Sequence, residues 1–248
     1  MGTRRRTTSA AAAAVVLASL LVAGCSGASD GSPDGSPDGH GRTASSAPDD
    51  DRAARVQALL VAARVIERQP DVPGYDRDCG PGDGCVFGTA WSDDTDAPQG
   101  HNGCDTRNDV LAASLTEVAF KAGSDDCDVV AGLLVDPYTG TSMDYATEGS
   151  QIHVDHLFPL AAAWDLGAST WPLARRARFA NDTAYELIAV QGTANLQKSD
   201  STPASWLPPN KPYRCAYVTA YLEVADAYDL AVTAADVRVI EAVVRKSC

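Results

Sequence analysis

The chain has 248 residues, 45% of them hydrophobic, and a formal net charge of −13 at pH 7. That hydrophobic share supports a folded core, and the acidity excludes a surface that binds polyanions through overall positive charge. A site for a polyanion must concentrate its cations locally.

The N-terminus reads as a targeting segment. Arg4, Arg5 and Arg6 precede an apolar run from about Ala10 to Val22, too short to span a bilayer comfortably. Leu21-Val22-Ala23-Gly24-Cys25 then sets small residues before a cysteine, the pattern of a bacterial lipoprotein signal. Residues 1–25 are read as that signal, with Cys25 as the lipid-bearing N-terminus on the membrane; an ordinary secretory signal is the alternative. Either way the chain is exported. Residues 26–52 are rich in Gly, Ser, Asp and Pro and contain the near-repeat Asp-Gly-Ser-Pro. Such a stretch buries no core and reads as a flexible tether, with His40 solvated in it. Residues 53–248 form the expected domain. The signal holds three arginines and the tether six aspartates and two arginines, so the domain carries about −12.

Beyond Cys25 the cysteines are Cys79, Cys85, Cys104, Cys127, Cys215 and Cys248. An even number in an exported chain reads as three disulfides. Cys79–Cys85, Cys104–Cys127 and Cys215–Cys248 are favoured because each closes a local segment. No zinc-type cysteine and histidine spacing competes.

In chain order, the apolar spacing predicts a helix from Ala53 to about Glu67, ended by Pro70. From Pro70 to Gly103 turn residues dominate. A second helix is predicted from Thr106 to about Lys121. Strands are predicted over Val129–Val135 and Thr141–Tyr145, joined by the turn Asp136-Pro137-Tyr138-Thr139-Gly140. Gln151–Phe158 reads as a strand, Leu160–Leu166 as a short helix closed by Gly167, and Leu173–Phe179 as a basic helix or turn. Tyr185–Val190 is the next strand, and a helix starts near Ala194. The prolines of Pro203–Pro212 exclude regular helix. Helices over Tyr213–Asp229 and Ala234–Arg245 complete the chain. Helices and short strands without βα alternation indicate α+β.

The chemistry concentrates between Ile152 and Asp200. The domain has three histidines, His101, His153 and His156, and two of them bracket Asp155. A carboxylate beside an imidazole, with the Asn195 carboxamide further on, suits a small metal-dependent nuclease. Hard oxygens hold the cation, and the imidazole activates water.

From Asp155 onward the sequence resembles the HNH, or ββα-metal, endonucleases, and most closely an exported bacterial subgroup of them. The landmarks are Gly103-Cys-Asp-Thr-Arg-Asn-Asp-Val-Leu111, Asp136-Pro-Tyr-Thr-Gly140, Asp155-His156-x-x-Pro159-Leu160, Phe179-Ala-Asn-Asp182, Asn195-x-x-Lys198-x-Asp200 and Trp206-Leu-Pro-Pro209. They cover roughly Tyr75 to Cys248. The resemblance implies a disulfide-stapled helical domain with an embedded ββα-metal element.

It also implies the roles. His156 is the general base, against a satisfied core histidine. Asp155 and Asn195 are metal ligands, against a turn partner and a helix N-cap. Lys198 holds phosphate or transition-state charge, against a solvated lysine. Glu186 stands where relatives carry an asparagine that orients the base, with Asn181 as the substitute. From the residues themselves, His153, on the Asp155 face of its strand, is an extra ligand or phosphate contact, against a bystander; Arg107 is a phosphate contact, against an ion pair with Asp109 or across the domain; and Arg175, Arg176 and Arg178 are nucleic-acid contacts, against a solvated charge run. Trp164, Trp171 and Trp206 read as core anchors.

The expected activity is hydrolysis of phosphodiester bonds in nucleic acid, DNA ahead of RNA. The expected cofactor is one divalent ion, Mg²⁺ ahead of Mn²⁺, Zn²⁺ or Ca²⁺, with no organic cofactor, in a monomer. The rival readings are a noncatalytic envelope lipoprotein that uses the element as a partner-binding scaffold, and a phosphodiesterase for another substrate.

Overall fold

The computed structural model describes residues 48–248. The signal reading of 1–25, Cys25 included, and the tether reading up to residue 47 lie outside the described residues.

The elements in order are α1 (Pro48–Ala62), β1 (Val65–Ile66), α2 (Thr106–Ser114), β2 (Thr116–Phe120), β3 (Val129–Val135), β4 (Ser142–Asp144), α3 (Tyr145–Glu148), β5 (Ile152–His156), α4 (Leu160–Leu166), α5 (Leu173–Ala180), β6 (Leu187–Gln191), α6 (Gly192–Lys198), α7 (Arg214–Tyr228), β7 (Val232–Thr233) and α8 (Ala234–Ser247). α1 begins within the stretch read as tether. Its opening residue is Pro48, whose missing N–H costs nothing at the first helical position.

The strands form three small sheets. β2, β3 and β4 are antiparallel neighbours, β5 pairs antiparallel with β6, and β1 pairs parallel with β7. This mixed helical and β architecture carries all three local disulfides, Cys79–Cys85, Cys104–Cys127 and Cys215–Cys248.

The helix predicted over Thr106–Lys121 is instead a helix and a strand. α2 stops where Leu115 turns extended, and Thr116–Phe120 pairs with β3 through a bulged register. The run Thr-Glu-Val-Ala-Phe carries β-branched and aromatic residues, and cross-strand pairing outweighs its helical spacing. The two-residue β1–β7 contact escapes sequence reading because its partners lie far apart in the chain.

Two apolar cores flank the β5–β6 hairpin. The larger joins α1, α4, α5, α7 and α8, with Phe158 stacked on Tyr221 at a centroid distance of 4.5 Å. Trp164 and Trp171 belong to it, and Trp206 packs against it. The smaller core lies between α2 and the strands and takes Ile152 and Val154 from β5 and Leu187 and Ala189 from β6. Strand alternation therefore turns His153 and Asp155 to the opposite face of β5.

Cys215–Cys248 closes a separation of 33 residues and ties the start of α7 to the last residue. A Cys215→Ser, Cys248→Ser double variant is expected to lose about 3–4 kcal/mol. Urea unfolding midpoints of the oxidised wild type and the variant measure it.

Candidate functional site

β5 and β6 pair in plain register, with Asp155 opposite Ile188 and His156 opposite Leu187. The chain passes from β6 into α6 without a loop. Gly192 makes that junction: a Cβ there would sit 2.6 Å from Nε2 of His153. The Gln191 N–H ahead of it donates to Oδ1 of Asp136 at 2.9 Å. The hairpin and α6 form one wall of an open cleft of about 650 Å³. Asp155, His156, His153, Asn195 and Arg107 all line it, joined by Tyr75, Arg77 and Trp91.

His156 has a defined tautomer. Its Nε2 lies 3.0 Å from the carbonyl oxygen of Ala180. A carbonyl only accepts, so Nε2 carries the proton and Nδ1 keeps its lone pair. The ring stacks on Trp91, with centroids 5.8 Å apart and planes 17° from parallel. Burial pushes the imidazole down to about 3; the Ala180 bond opposes this, and the Arg77 and Lys198 charges add to it. The ring is therefore neutral at physiological pH.

Asp155 is 6% exposed and held on both oxygens. Lys198 Nζ lies 3.1 Å from Oδ1 and 2.9 Å from Oδ2. The Tyr138 hydroxyl donates to Oδ2 at 2.6 Å. Burial, then the Asp155 charge, raises the Tyr138 phenol well above its ordinary value, so it stays a donor. Lys198 is fully buried and also donates to the His156 carbonyl at 2.7 Å. It is thus neither a solvated lysine nor a hand extended to phosphate: its ammonium is taken up by Asp155 and the β5 backbone. Asn195, half-buried in the middle of α6, faces the same cleft.

Neither residue expected to orient the base hydrogen-bonds to it. Glu186 is fully buried, and its Oε2 accepts from the Phe158 N–H at 3.2 Å. Burial raises its carboxyl well above the usual range, against the Phe158 bond and the Lys198 charge, which lower it. The Asn181 amide donates to the Ala177 carbonyl at 2.9 Å. The backbone of the neighbouring Ala180 does what a side chain was expected to do.

The arginine run is also placed elsewhere. Arg175 donates to the Tyr228 carbonyl at 2.7 Å and lies 4.4 Å over the Trp171 ring. Arg176 donates to the carbonyls of Val86 and Trp171. Arg178 lines a separate pocket with Arg175, Asp182 and Tyr185. Packing on aromatic rings and capping of carbonyls account for Arg175 and Arg176.

Arg107 does reach the cleft, donating to the Ile152 carbonyl at 3.3 Å, while Asp109 accepts from Asn102 instead. Arg77, Trp91 and Tyr138 were not foreseen as site residues. Arg77 and Trp91 sit in the irregular segment around the Cys79–Cys85 staple, where no periodicity guides a reading. Tyr138 lay inside a landmark motif with no role attached.

The imidazole makes stability pH-dependent. Above pH 6.5 it is neutral in folded and unfolded chains alike. Between 6.5 and about 3 only the unfolded chain takes up the proton, so stability falls as pH drops through that window. Glu186 acts in the opposite sense, because its raised value costs stability as pH rises. The comparison of wild type with His156→Asn isolates the imidazole. The variant is expected to lose less stability than wild type between pH 6.5 and about 4, read from urea midpoints across pH.

One comparison with known proteins names a family. Residues 105–240 match the GmrSD restriction endonucleases, C-terminal domain. An uncharacterized secreted protein of Arthroderma benhamiae is 34% identical over 190 residues, 76% of this chain and 83% of that protein. No solved structure matches. The matched span holds the hairpin, α6 and every polar partner of Asp155, and the chain belongs to the family of GmrSD restriction endonuclease C-terminal domains.

Proposed function

We propose that the protein is an HNH-type endonuclease that hydrolyses phosphodiester bonds of nucleic acid, DNA ahead of RNA, outside the cytoplasm. The observation that carries this reading is the state of His156. Its Nε2–H is tied to Ala180, its Nδ1 is unprotonated, and Asp155 and Asn195 line the same cleft. Membership in a nuclease family supports it.

The donor set fits one hard divalent ion, Mg²⁺ first. Among the described residues no group of three His, Cys, Asp or Glu side chains forms a closed cage. An Asp oxygen and an Asn oxygen on one wall are the sparse set that Mg²⁺ accepts alongside water and phosphate. A carboxylate offers about four acceptor positions. Asp155 uses three, for two Lys198 contacts and one Tyr138 contact. Asp155 and Asn195 would hold the ion, which when bound supplies Lewis-acid stabilisation of phosphoryl charge and of the leaving oxygen.

The remaining work falls to the chain. Nδ1 of His156 takes a proton from the attacking water, and the Ala180 carbonyl keeps the ring in the tautomer that does so. Arg107 and Arg77, both lining the cleft, hold phosphate oxygens. Trp91 fixes the ring plane.

The three disulfides and the secreted relative support an exported chain. Within this reading Cys25 carries the lipid that tethers the domain to the membrane. The net charge of −13 favours one rival, a noncatalytic envelope lipoprotein that binds a partner through the same element.

Incubating the oxidised protein with plasmid DNA and a series of divalent ions separates the two. Cleavage is expected with Mg²⁺ or Mn²⁺, to stop with chelator, and to drop about 10²- to 10⁴-fold in His156→Ala. A folded protein that binds cations yet never cuts DNA or RNA would sink the nuclease reading in favour of the scaffold. Equal cleavage by the variant would remove His156 as the base.

A further inference from the structure

The turn Asp136–Gly140 takes no part in the chemistry above, yet it reaches both elements that carry the proposed cation ligands. Asp136 is fully buried, and its Oδ1 accepts from Gln191 N–H at the entry to α6. Two residues on, fully buried Tyr138 donates to Asp155 on β5 at 2.6 Å. Lys198, at the far end of α6, closes the circuit by bonding Asp155 and the His156 carbonyl. The turn is itself anchored from behind, because Asn210 donates to the Pro137 carbonyl and to the Tyr138 carbonyl, each at 2.9 Å.

A helix of seven residues has no intrinsic stability in water, so its orientation comes from tertiary pins. Here one pin holds each end, and both lead to the same turn. Asn195 lies between them. The distance from its carboxamide to the Asp155 carboxylate is thereby set by a hydrogen-bonded ring and not by the hairpin alone.

We infer that Asp136, Tyr138 and Lys198 are positioning residues that fix Asp155 and Asn195 relative to each other for the holding of one divalent cation. The Tyr138 hydroxyl is the member that can be removed with the least disturbance. This inference rests on the nuclease reading and concerns cation binding directly, so it is tested by binding as well as turnover.

The experiment is calorimetric titration of Mn²⁺ into the oxidised wild type, Tyr138→Phe and Tyr217→Phe. Tyr217 packs edge-on against Tyr138, and its hydroxyl has no partner among the described residues. Tyr138→Phe is expected to bind Mn²⁺ about 10- to 100-fold more weakly. At saturating Mn²⁺ it should regain most of its kcat. Tyr217→Phe should bind like wild type. Unchanged affinity in Tyr138→Phe overturns the inference, and so does an equal loss in both variants.

Should Tyr138→Phe not fold, ¹³C-tyrosine NMR of the wild type gives the answer. An assigned Tyr138 Cζ resonance that shifts along the isotherm of diamagnetic Mg²⁺ supports the ring, and an unmoved Tyr138 beside a shifted cleft-lining Tyr75 sinks it. A wild type that neither binds Mn²⁺ nor cuts DNA rejects the nuclease reading itself. A wild type that does both, beside an unaffected Tyr138→Phe, rejects only the positioning inference.

Discussion

The site depends on a buried charge that is never left alone. Asp155 has lost nearly all contact with water, and an unpaired carboxylate there would cost several kcal/mol. Lys198 and Tyr138 supply the compensation, from the end of a short helix and from a turn. Because the penalty for breaking a buried pair is about 3–5 kcal/mol, the fold can adopt few arrangements in which α6 drifts from β5. The same pair that stabilises the junction therefore fixes the wall of the cleft. A salt bridge of this kind is weak evidence for stability in itself. Its value here is geometric, since it couples the register of α6 to that of β5.

His156 is shaped by the same economy of partners. A neutral imidazole needs one donor bond satisfied, and the Ala180 carbonyl at the end of α5 accepts it. Burial and the Arg77 and Lys198 charges hold the ring neutral, which keeps Nδ1 available but makes it a weak base.

Much of this was legible from residue order, and the boundary of legibility has a physical cause. The grouping of Asp155-His156 with Asn195 rests on the resemblance to the HNH endonucleases, whose strand, strand and helix order matches β5, β6 and α6, and all three residues line one cleft. The disulfides were readable for the same reason, each closing a short or moderate segment. What sequence missed is carried by contacts between distant segments. Thr116–Phe120 has helical spacing, but β3 claims it as a strand. Lys198 looks like an exposed basic residue until α6 lies on β5. Arg175 and Arg176 look like a nucleic-acid patch, yet the rings of Trp171 and Trp164 lie beneath their guanidinium groups. Glu186 occupies the position expected to orient the base, but the turn from Asp182 buries it facing the Phe158 amide.

The charge of the chain then becomes intelligible as a division of labour. With a net −13 the protein as a whole repels a polyanion, and Arg175 and Arg176 of its arginine run are spent on packing. The cations left facing the cleft are Arg77 and Arg107, because Lys198 is consumed by Asp155. Two arginines neutralise few phosphates, so long-range attraction contributes little affinity. Under the nuclease reading the divalent ion supplies the missing positive charge where phosphate must sit. Binding and chemistry then share one requirement. A strand without the cation is held poorly, and a cation without a strand lacks the phosphate oxygens that complete its shell. Within that reading the acidic surface disfavours contact with polyanions in general, and productive capture is confined to the cleft that Asp155 lines.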